Sequence, residues 1–311
     1  MNKLLEMKTN LIGFVEKNEA LAKAISRFVL MLTAYLLVFF LLGFYAKVHK
    51  PVLPVAFAVI SAFLPVGIGT MLLSAFLLLN LYGLGIEVTA VAAALLLLCY
   101  ILYFRFAPGK GYLLAMTPIA WMFRIPYALP VTEGLISGAG SAVPVMMGTV
   151  VYYFLKALRA NPSLFVGEES QNPLARFSAV VKLIIDNKEM WLVVGAFMLT
   201  ALVVSVIRKT SIRNAWRLAI YVGVVIQTVT ILIGKLVLGS MDGVIGLMVG
   251  SVISLGIDLV VEFFLFHLDY SRVERVQFED DYYYYYVKAV PKVTVRAQEK
   301  KVTTFGGQGN D

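Results

Sequence analysis

Hydrophobic residues along this chain are grouped into long blocks separated by short polar stretches. Several blocks reach the roughly 17–25 residues that cross a bilayer core of about 30 Å. Backbone groups in lipid must be hydrogen-bonded within the segment, so each block predicts a helix. We therefore predict an all-α polytopic integral membrane protein with seven to nine hydrophobic helical segments, at residues 28–46, 52–66, 68–83, 86–106, 111–127, 139–157, 190–207, 218–236 and 243–267.

Prolines interrupt the shorter blocks. Pro65 lies at the junction of the second and third blocks, and Pro118 and Pro126 lie within the fifth. A proline in a helix interior removes a backbone hydrogen bond and clashes with the preceding turn. At membrane depth such a break is tolerated where protein or a wet cavity covers the freed groups. We therefore expect some of these helices to be broken or re-entrant.

Two similar motifs, LPVGIG (64–69) and LPVTEG (129–134), lie 65 residues apart. We predict that residues 28–83 and 93–148 are two copies of one unit, a spanning helix followed by two short or broken helices. Interrupted segments in corresponding positions are typical of transporter repeats, parallel or inverted. The alternative is chance matching in a chain rich in Leu, Phe and Gly.

The polar stretches divide the chain into five regions. Residues 1–27 place apolar residues near one helical face, which predicts an amphipathic helix that lies in the membrane interface or extends into solvent. Residues 173–188 predict a second amphipathic helix. The regions are the N-terminal helix (1–27), a membrane subdomain (28–157), a polar connection (158–189), a second membrane subdomain (190–267) and a soluble tail with a β-hairpin (268–311).

Composition and charge agree with a membrane location. The chain is 60% hydrophobic and 15% charged, against about 45–50% and about 25% in soluble proteins. Its net charge of +8 lies mainly in loops and termini, so we expect contact with anionic lipid and not with nucleic acid. The short loop 208–217 is basic and lacks acids, which predicts a cytoplasmic location for this loop and for the tail. The connection 158–189 then faces outward despite its own basic residues.

Residue patterns for enzyme chemistry are nearly absent from the sequence. His49 and His267 are isolated and lack the spacing of metal ligands. Cys99 is the single cysteine and lies in an apolar block. No HExxH motif, nucleophile elbow or phosphate-binding loop occurs. We therefore expect no catalytic residue, no metal and no cofactor, and we expect that the protein is not an enzyme.

The stretch ALPVTEGLISGAGSAVPVMMG (128–148) combines small residues, prolines and one acid. It predicts an unwound segment whose backbone groups line a transport path, with Glu133 as the functional acid and Arg124 as its partner. The alternative is a close-packed loop with Glu133 at the surface. The candidate path residues are Pro65, Arg124, Pro130, Glu133, Gly134 and Ser137.

The last hydrophobic block carries a stripe of glycine and polar residues spaced by four. Side chains at i and i+4 lie on one helix face, and a GxxxG pair permits close helix approach. The stripe predicts either a helix-packing seam or an ion or proton path, with Lys235 pairing with Asp242 at one boundary. Its residues are Asp242, Gly246, Gly250, Ser254, Asp258 and Glu262.

The tail contains QFEDDYYYYYVKAVP (277–291), in which acids precede five tyrosines. Tyrosine favours strands, and residues 293–297 alternate apolar and polar, so we predict a β-hairpin with its turn at 298–301. A two-stranded hairpin is marginal alone. We expect it to pack on the membrane domain, on a second copy in a homo-oligomer or on another subunit; the alternative is an unpaired solvated tail. The docking candidates are Tyr282, Tyr283, Tyr284, Tyr285 and Tyr286.

The LPV units, the loop IRKTSIRNAWRLAIYVG (207–223) and the tail QFEDDYYYYYVKAVPK (277–292) resemble an uncharacterised family of Gram-positive bacterial polytopic membrane proteins. The resemblance covers most of the chain and is most specific in the tail. It implies a bacterial plasma membrane location, and it brings no activity, cofactor or catalytic residue.

Two functions are compatible with these patterns. The first is a transporter-type or channel-type component with a path near the broken LPV helices. The alternative is a non-transporting structural protein that oligomerises through the glycine stripe and docks a partner through the tyrosine-rich tail. A polar cavity that reaches Glu133 and the LPV breaks favours the first, and dry packing with paired tails favours the second.

Overall fold

The computed structural model divides the chain into two compact units, Ala20–Leu265 and a second unit built from the two chain termini. Each unit is described by itself. The structure describes residues 13–15, 17–45, 48–161, 173–210, 212, 214–266, 274–280 and 283–289.

The described residues form eleven α-helices and one two-stranded sheet, which confirms the predicted all-α fold with a small β element. The helices follow the hydrophobic blocks closely. The elements are α1 (Glu19–Leu41), α2 (Val52–Phe63), α3 (Val66–Leu81), α4 (Ile86–Phe106), α5 (Tyr112–Met122), α6 (Ala128–Ile136), α7 (Ala142–Ala160), α8 (Pro173–Ile185), α9 (Lys188–Ile207), α10 (Ala215–Val237), α11 (Val244–Phe266), β1 (Glu274–Glu279) and β2 (Tyr284–Ala289).

Within these ranges, seven helices are long and apolar enough to cross a membrane: α1, α3 with the turn that follows it, α4, α7 with the turn that precedes it, α9, α10 and α11. Large apolar side chains cover their outer surfaces. On α11, Ile245 is 82% exposed and Val252 is 70% exposed. Apolar surface of this extent is unfavourable in water, whereas lipid tails cover it at no cost.

Aromatic packing and close glycine contacts hold the unit Ala20–Leu265 together. Tyr35 and Phe76 are buried, with ring centroids 5.4 Å apart. A Cβ atom on Gly148 of α7 would lie 2.6 Å from the Cβ of Thr117 on α5. Only a glycine fits at this distance, so α5 and α7 pack with their backbones in near contact.

The helix connections define two ends of this unit. Residues 208–214 join α9 to α10, and we call this the Arg208 end; residues 238–243 join α10 to α11, and we call this the Asp242 end. The C-terminus of α4 lies at the Arg208 end. A Cβ on Gly140 would lie 2.7 Å from the Phe106 carbonyl oxygen, and one on Gly138 would lie 3.4 Å from the Arg208 side chain.

The turn between α2 and α3 also lies at the Arg208 end. A Cβ on Gly67 would lie 3.8 Å from the hydroxyl of Tyr103, which is in the last turn of α4. Pro65 immediately precedes α3. A proline at a helix start needs no backbone N–H and its fixed φ suits the first turn. The first LPV motif therefore starts a helix and does not interrupt one.

The helices α5 and α6 form a short hairpin that enters the bundle from the Arg208 end. They contain only 11 and 9 residues. At the tip, the Tyr127 ring packs 6.2 Å from Phe197, and the Gln227 side-chain amide donates to the Tyr127 carbonyl at 3.2 Å. Phe197 is nine residues from the start of α9 at Lys188, or about 14 Å at 1.5 Å per residue. The hairpin therefore stops about halfway along α9, which spans about 30 Å.

The predicted unwound segment 128–148 is instead mostly helical. Pro130 lies in the first turn of α6, where a proline is tolerated, and the chain bends at Gly138, whose φ of 82° suits glycine. The 65-residue repeat stays a prediction. The element order of α1–α2–α3 matches that of α4–α5–α6, but α3 has 16 residues where α6 has 9.

Two amphipathic helices were predicted outside the membrane subdomains. Residues 19–27 continue into the first spanning helix as part of α1 instead of ending a separate helix. Residues 1–12 of that predicted helix lie outside the described residues. The second helix is present as α8, in which Leu174 and Ile185 are 75% and 61% exposed.

The second unit contains an antiparallel hairpin of β1 and β2. Gln277 pairs with Tyr286 and Phe278 pairs with Tyr285. Tyr284, Tyr285 and Tyr286 therefore begin the second strand, and they pair with residues that precede them in the sequence. The predicted turn at 298–301 lies outside the described residues.

Candidate functional site

A cavity of about 480 Å³ lies within the unit Ala20–Leu265 and reaches the tip of the α5–α6 hairpin. Its outer part is lined by residues near the Asp242 end of α9, α10 and α11, and its floor by the hairpin tip and α7. The volume is in the range of small-molecule pockets, about 300–1,000 Å³. The lining residues are Leu41, Trp121, Met122, Arg124, Pro126, Tyr127, Tyr152, Tyr153, Lys156, Glu189, Val193, Ile231, Lys235, Asp242, Gly243 and Gly246.

Aromatic rings form one wall of the cavity. Trp121 stacks on Tyr152 with ring centroids 4.9 Å apart and planes within 10°, and Tyr153 meets Trp121 edge-on at 5.2 Å. The indole Nε1 of Trp121 is buried and has no hydrogen-bond partner among the described residues. An indole N–H is a donor only, and this one is covered by protein, so the wall presents a flat apolar surface to the cavity.

Charged side chains lie along the same cavity. Lys235 is buried; it forms an ion pair with Glu189 at 2.8 Å and donates to the Asp242 carbonyl oxygen at 2.8 Å. This differs from the predicted pairing with the Asp242 carboxylate. The side chains of Arg124 and Lys156 form no hydrogen bond or ion pair with another described residue, and the Lys156 ammonium lies 5.4 Å from the Tyr153 ring centroid. Two cations are therefore left without an acidic partner in the described part of the chain.

The conformation of Arg124 follows from its place in the hairpin tip. Its φ is 60°, a left-handed value that non-glycine residues rarely adopt. Backbone strain of this kind is retained where the surrounding structure fixes it, and it occurs often at functional sites. Here the tight turn places an arginine at the floor of the cavity.

Glu133 lies on α6, away from the cavity. The residue is 3% exposed, and its carboxylate accepts hydrogen bonds from the Tyr112 hydroxyl at 2.7 Å and the Ser137 hydroxyl at 2.7 Å. The predicted pairing with Arg124 is wrong, because Arg124 is at the tip of the hairpin and Tyr112 is at its base. The surface position offered as the alternative for Glu133 is wrong as well, because the residue is buried.

Other predicted path residues have packing roles. Gly134 faces α9, where an added Cβ would lie 3.0 Å from Val204. Pro65 does not line the cavity and starts α3 at the Arg208 end. A separate apolar void of about 50 Å³ is lined in part by Ser74 and Tyr100, whose hydroxyls form a hydrogen bond of 2.8 Å. This void is too small for an organic ligand.

The stripe on α11 faces the hairpin and α10 over most of its length. Asp242 and Gly246 line the cavity. Further along, a Cβ on Gly250 would lie 2.7 Å from the Tyr127 ring. Thr132 donates to Asp258 at 2.5 Å, and the last stripe residue, Glu262, pairs with Arg217 at 3.5 Å.

Several buried polar atoms along this stripe lack hydrogen-bond partners among the described residues: Gln227 Oε1, Ser254 Oγ and Asp258 Oδ2. Ser254 and Asp258 are both fully buried. Buried polar groups are normally hydrogen-bonded, and each exception calls for an explanation such as a water, an ion or a function. The stripe is therefore both a packing seam and a line of polar atoms from the cavity floor toward the Arg208 end.

Arg208 was predicted only as a signal for orientation, and the structure gives it a second role. Its guanidinium donates to the Leu135 carbonyl oxygen in the last turn of α6 and lies 5.7 Å from the Trp216 ring. Terminal helix carbonyls lack partners within the helix, and a cation near them is favourable. Arg208 therefore anchors the base of the hairpin.

The described tyrosines of the β1–β2 hairpin lie in the second unit. Tyr285 stacks on Phe278 with centroids 4.9 Å apart, and its hydroxyl donates to Asp280 at 2.9 Å. This bond to a carboxylate raises the pKa of the Tyr285 hydroxyl. Tyr284 and Tyr286 are 70% and 79% exposed, and Tyr282 lies outside the described residues.

Comparison with known proteins gives no relative: no family model, curated protein or solved structure matches the chain. No group of three or more potential metal-ligating side chains occurs among the described residues. The class of the protein therefore follows from its own helices. It is a multi-pass helical membrane protein with a cavity that reaches a half-length helical hairpin.

Proposed function

We propose that the protein is a transporter-type membrane protein whose solute enters the cavity above the α5–α6 hairpin. One observation carries the proposal. The cavity runs from the Asp242 end to the tip of a hairpin that enters from the opposite end and stops about halfway. Transporters commonly bind their solutes near the bilayer midplane beside interrupted helices.

The path beyond the hairpin tip is closed by packing. Tyr127 contacts Gly250 and Gln227, and Thr132 bonds to Asp258. A solute can pass only if these contacts open, so the described conformation is open at one end and closed at the other. This is the arrangement that alternating access requires.

Cysteine accessibility tests this proposal directly. In a Cys99→Ser background, we expect Met122→Cys, in the cavity, to react with a charged thiol reagent added at the Asp242 end. Val252→Cys, which is 70% exposed on the apolar outer face of α11, is the control and is expected to react far more slowly, because a thiol in lipid does not ionise. Equal rates at the two positions would contradict the open cavity.

A second position tests whether the closed side opens. Ser254 is fully buried on the stripe beyond the hairpin tip. We expect Ser254→Cys to react with reagent added at the Arg208 end, because alternating access exposes the Arg208 side of the stripe. The reaction is expected to be slow, because the described conformation is closed on that side. A complete lack of reaction there, with Met122→Cys reactive, would indicate a closed receptor cavity and would contradict transport.

A scaffold function remains as a second proposal, supported by the exposed tyrosine hairpin. Deleting residues 268–311 is expected to change the oligomeric state in detergent if the β1–β2 hairpin joins copies of the protein.

We also propose a bacterial plasma membrane location with the Arg208 end in the cytoplasm, because that end carries Arg208, Lys209 and Arg217. Reporter fusions at the chain end measure this orientation.

A further inference from the structure

The cavity has an excess of hydrogen-bond donors that nothing in the described structure uses. The guanidinium of Arg124 and the ammonium of Lys156 are donors without acceptor capacity. Neither donates to another described residue, and both side chains line the cavity. A ligand that satisfies these groups must supply acceptor oxygens.

The charge balance also favours an anion. Three cations, Arg124, Lys156 and Lys235, line the cavity against two acids, Glu189 and Asp242, and Lys235 pairs with Glu189 at 2.8 Å. The cations without acidic partners flank the aromatic wall. Lys156 follows Tyr152 by four residues and so lies on the same face of α7, and Arg124 lines the same cavity as Tyr152.

The aromatic wall indicates that the ligand also has an apolar part. The stacked pair of Trp121 and Tyr152 exposes flat apolar surface beside the donors, and Met122, Val193 and Ile231 complete the lining. Aromatic walls also bind organic cations through the ring faces. Two cations without acidic partners line this cavity and oppose that here, because like charges repel.

We propose that this cavity binds an amphipathic organic oxyanion, with a phosphate or carboxylate head held by Arg124 and Lys156 and an apolar part on Trp121 and Tyr152. This inference rests on the proposed function, because the ligand is the transported solute. The head group has two possible sources, a water-soluble organic anion or the head of an anionic lipid, and both offer the same oxyanion to the same donors.

Calorimetric titration of the full-length protein in detergent tests the soluble source. Phenyl phosphate is expected to bind, whereas phenol and phenyltrimethylammonium are expected to bind at least about 10-fold more weakly, since a charge-assisted hydrogen bond contributes about that factor or more. Arg124→Gln and Lys156→Gln are each expected to weaken phenyl phosphate about 10- to 100-fold. Arg159→Gln, which removes a cation from the same helix outside the cavity, is the matched control and is expected to change nothing.

The lipid source is tested by native mass spectrometry of protein in nanodiscs of phosphatidylglycerol or of phosphatidylcholine. Retention of phosphatidylglycerol that is lost in Arg124→Gln and kept in Arg159→Gln supports the proposal with a lipid as the ligand. Trp121→Leu keeps an apolar side chain and removes the aromatic stacking surface on Tyr152. It is expected to weaken whichever anion binds by several-fold.

Three results would overturn the inference: tighter binding of phenyltrimethylammonium than of phenyl phosphate, equal anion binding by wild type and both cation variants, or binding of neither anion. These outcomes are separate from a failure of the transport proposal. Reactive Met122→Cys and Ser254→Cys without anion binding would refute the ligand class alone. Unreactive cysteines with anion binding intact would refute transport alone.

Discussion

Glu133 was the leading candidate for a functional acid in the sequence, and in the structure its hydrogen bonds stabilise the α5–α6 hairpin. Its buried carboxylate accepts one hydrogen bond from Tyr112 on α5 and one from Ser137 at the end of α6. The bond to Tyr112 joins the two helices of the hairpin. We expect Tyr112→Phe to destabilise the protein without altering the cavity.

The expected size of the effect follows from two measured ranges. A hydrogen bond to a charged group contributes about 1.5–3 kcal/mol in soluble proteins, whereas side-chain hydrogen bonds between membrane helices average only about 0.6 kcal/mol, with a maximum near 1.7. The Glu133 carboxylate is buried and has only two hydroxyl donors, so we expect a value near the membrane maximum, about 1–2 kcal/mol. In a domain of this size that lowers Tm by roughly 2–8 °C.

Thermal unfolding in detergent, followed by circular dichroism, measures this effect. Tyr221→Phe removes a hydroxyl from a residue that is 47% exposed on α10 and is the matched control, with an expected shift near zero. A double-mutant cycle of Tyr112→Phe with Glu133→Gln should give a coupling of about 1 kcal/mol. Equal shifts for the two tyrosine variants, or a coupling of zero, would refute the structural role of this bond.

Two further predictions concern the stripe and the tyrosine hairpin. Gly250→Val is expected to abolish stable folding, because even a Cβ would lie 2.7 Å from the Tyr127 ring, whereas Gly246→Val has open space around it and should express normally; similar yields of the two variants would contradict this. For Tyr285, the hydrogen bond from its hydroxyl to Asp280 raises the pKa of that hydroxyl. The bond therefore stabilises the β1–β2 hairpin below the ordinary tyrosine pKa of about 10, and this stabilisation is lost as pH rises through the raised pKa. Asp280→Asn should lower the pKa of Tyr285 in an NMR titration, and an unchanged value would refute the bond.

Most of the helices could be predicted from the sequence, because the length of an apolar block is a direct measure of what crosses lipid. The block 86–106 coincides with α4. The prolines were harder to interpret. Pro65 and Pro130 are located at helix starts, where a proline is favourable, and the sequence alone does not distinguish a helix start from a break.

The cavity could not be predicted as a site, because its parts are far apart in the sequence. Trp121 and Tyr152 come from different helices, and Glu189 and Lys235 are separated by 46 residues. Each of these residues alone is typical of a membrane interface. Only the packing of α5 against α7, set by Gly148 and Thr117, brings the aromatic wall together.

The partner of the tyrosine strand was not predicted, for a related reason. Tyrosines predict a strand but not its partner, and the turn predicted at 298–301 lies outside the described residues. In the structure, Phe278 and Gln277 supply the partner strand. Strand propensity reports a local preference, whereas pairing depends on which segment is near enough to form the turn.

The hydrogen bond from Arg208 to Leu135 spans 73 residues of sequence, and it has a consequence for how the protein is made. A ribosome synthesises both helices of the α5–α6 hairpin well before it reaches Arg208. During that interval the carbonyl end of α6 lacks its cation, and α9, which packs against Gly134, has not been completed. The hairpin therefore reaches its final depth late, after most of the polypeptide has entered the bilayer. Truncated nascent chains that stop before residue 208 should leave the hairpin accessible to protease, and chains that extend past α10 should protect it.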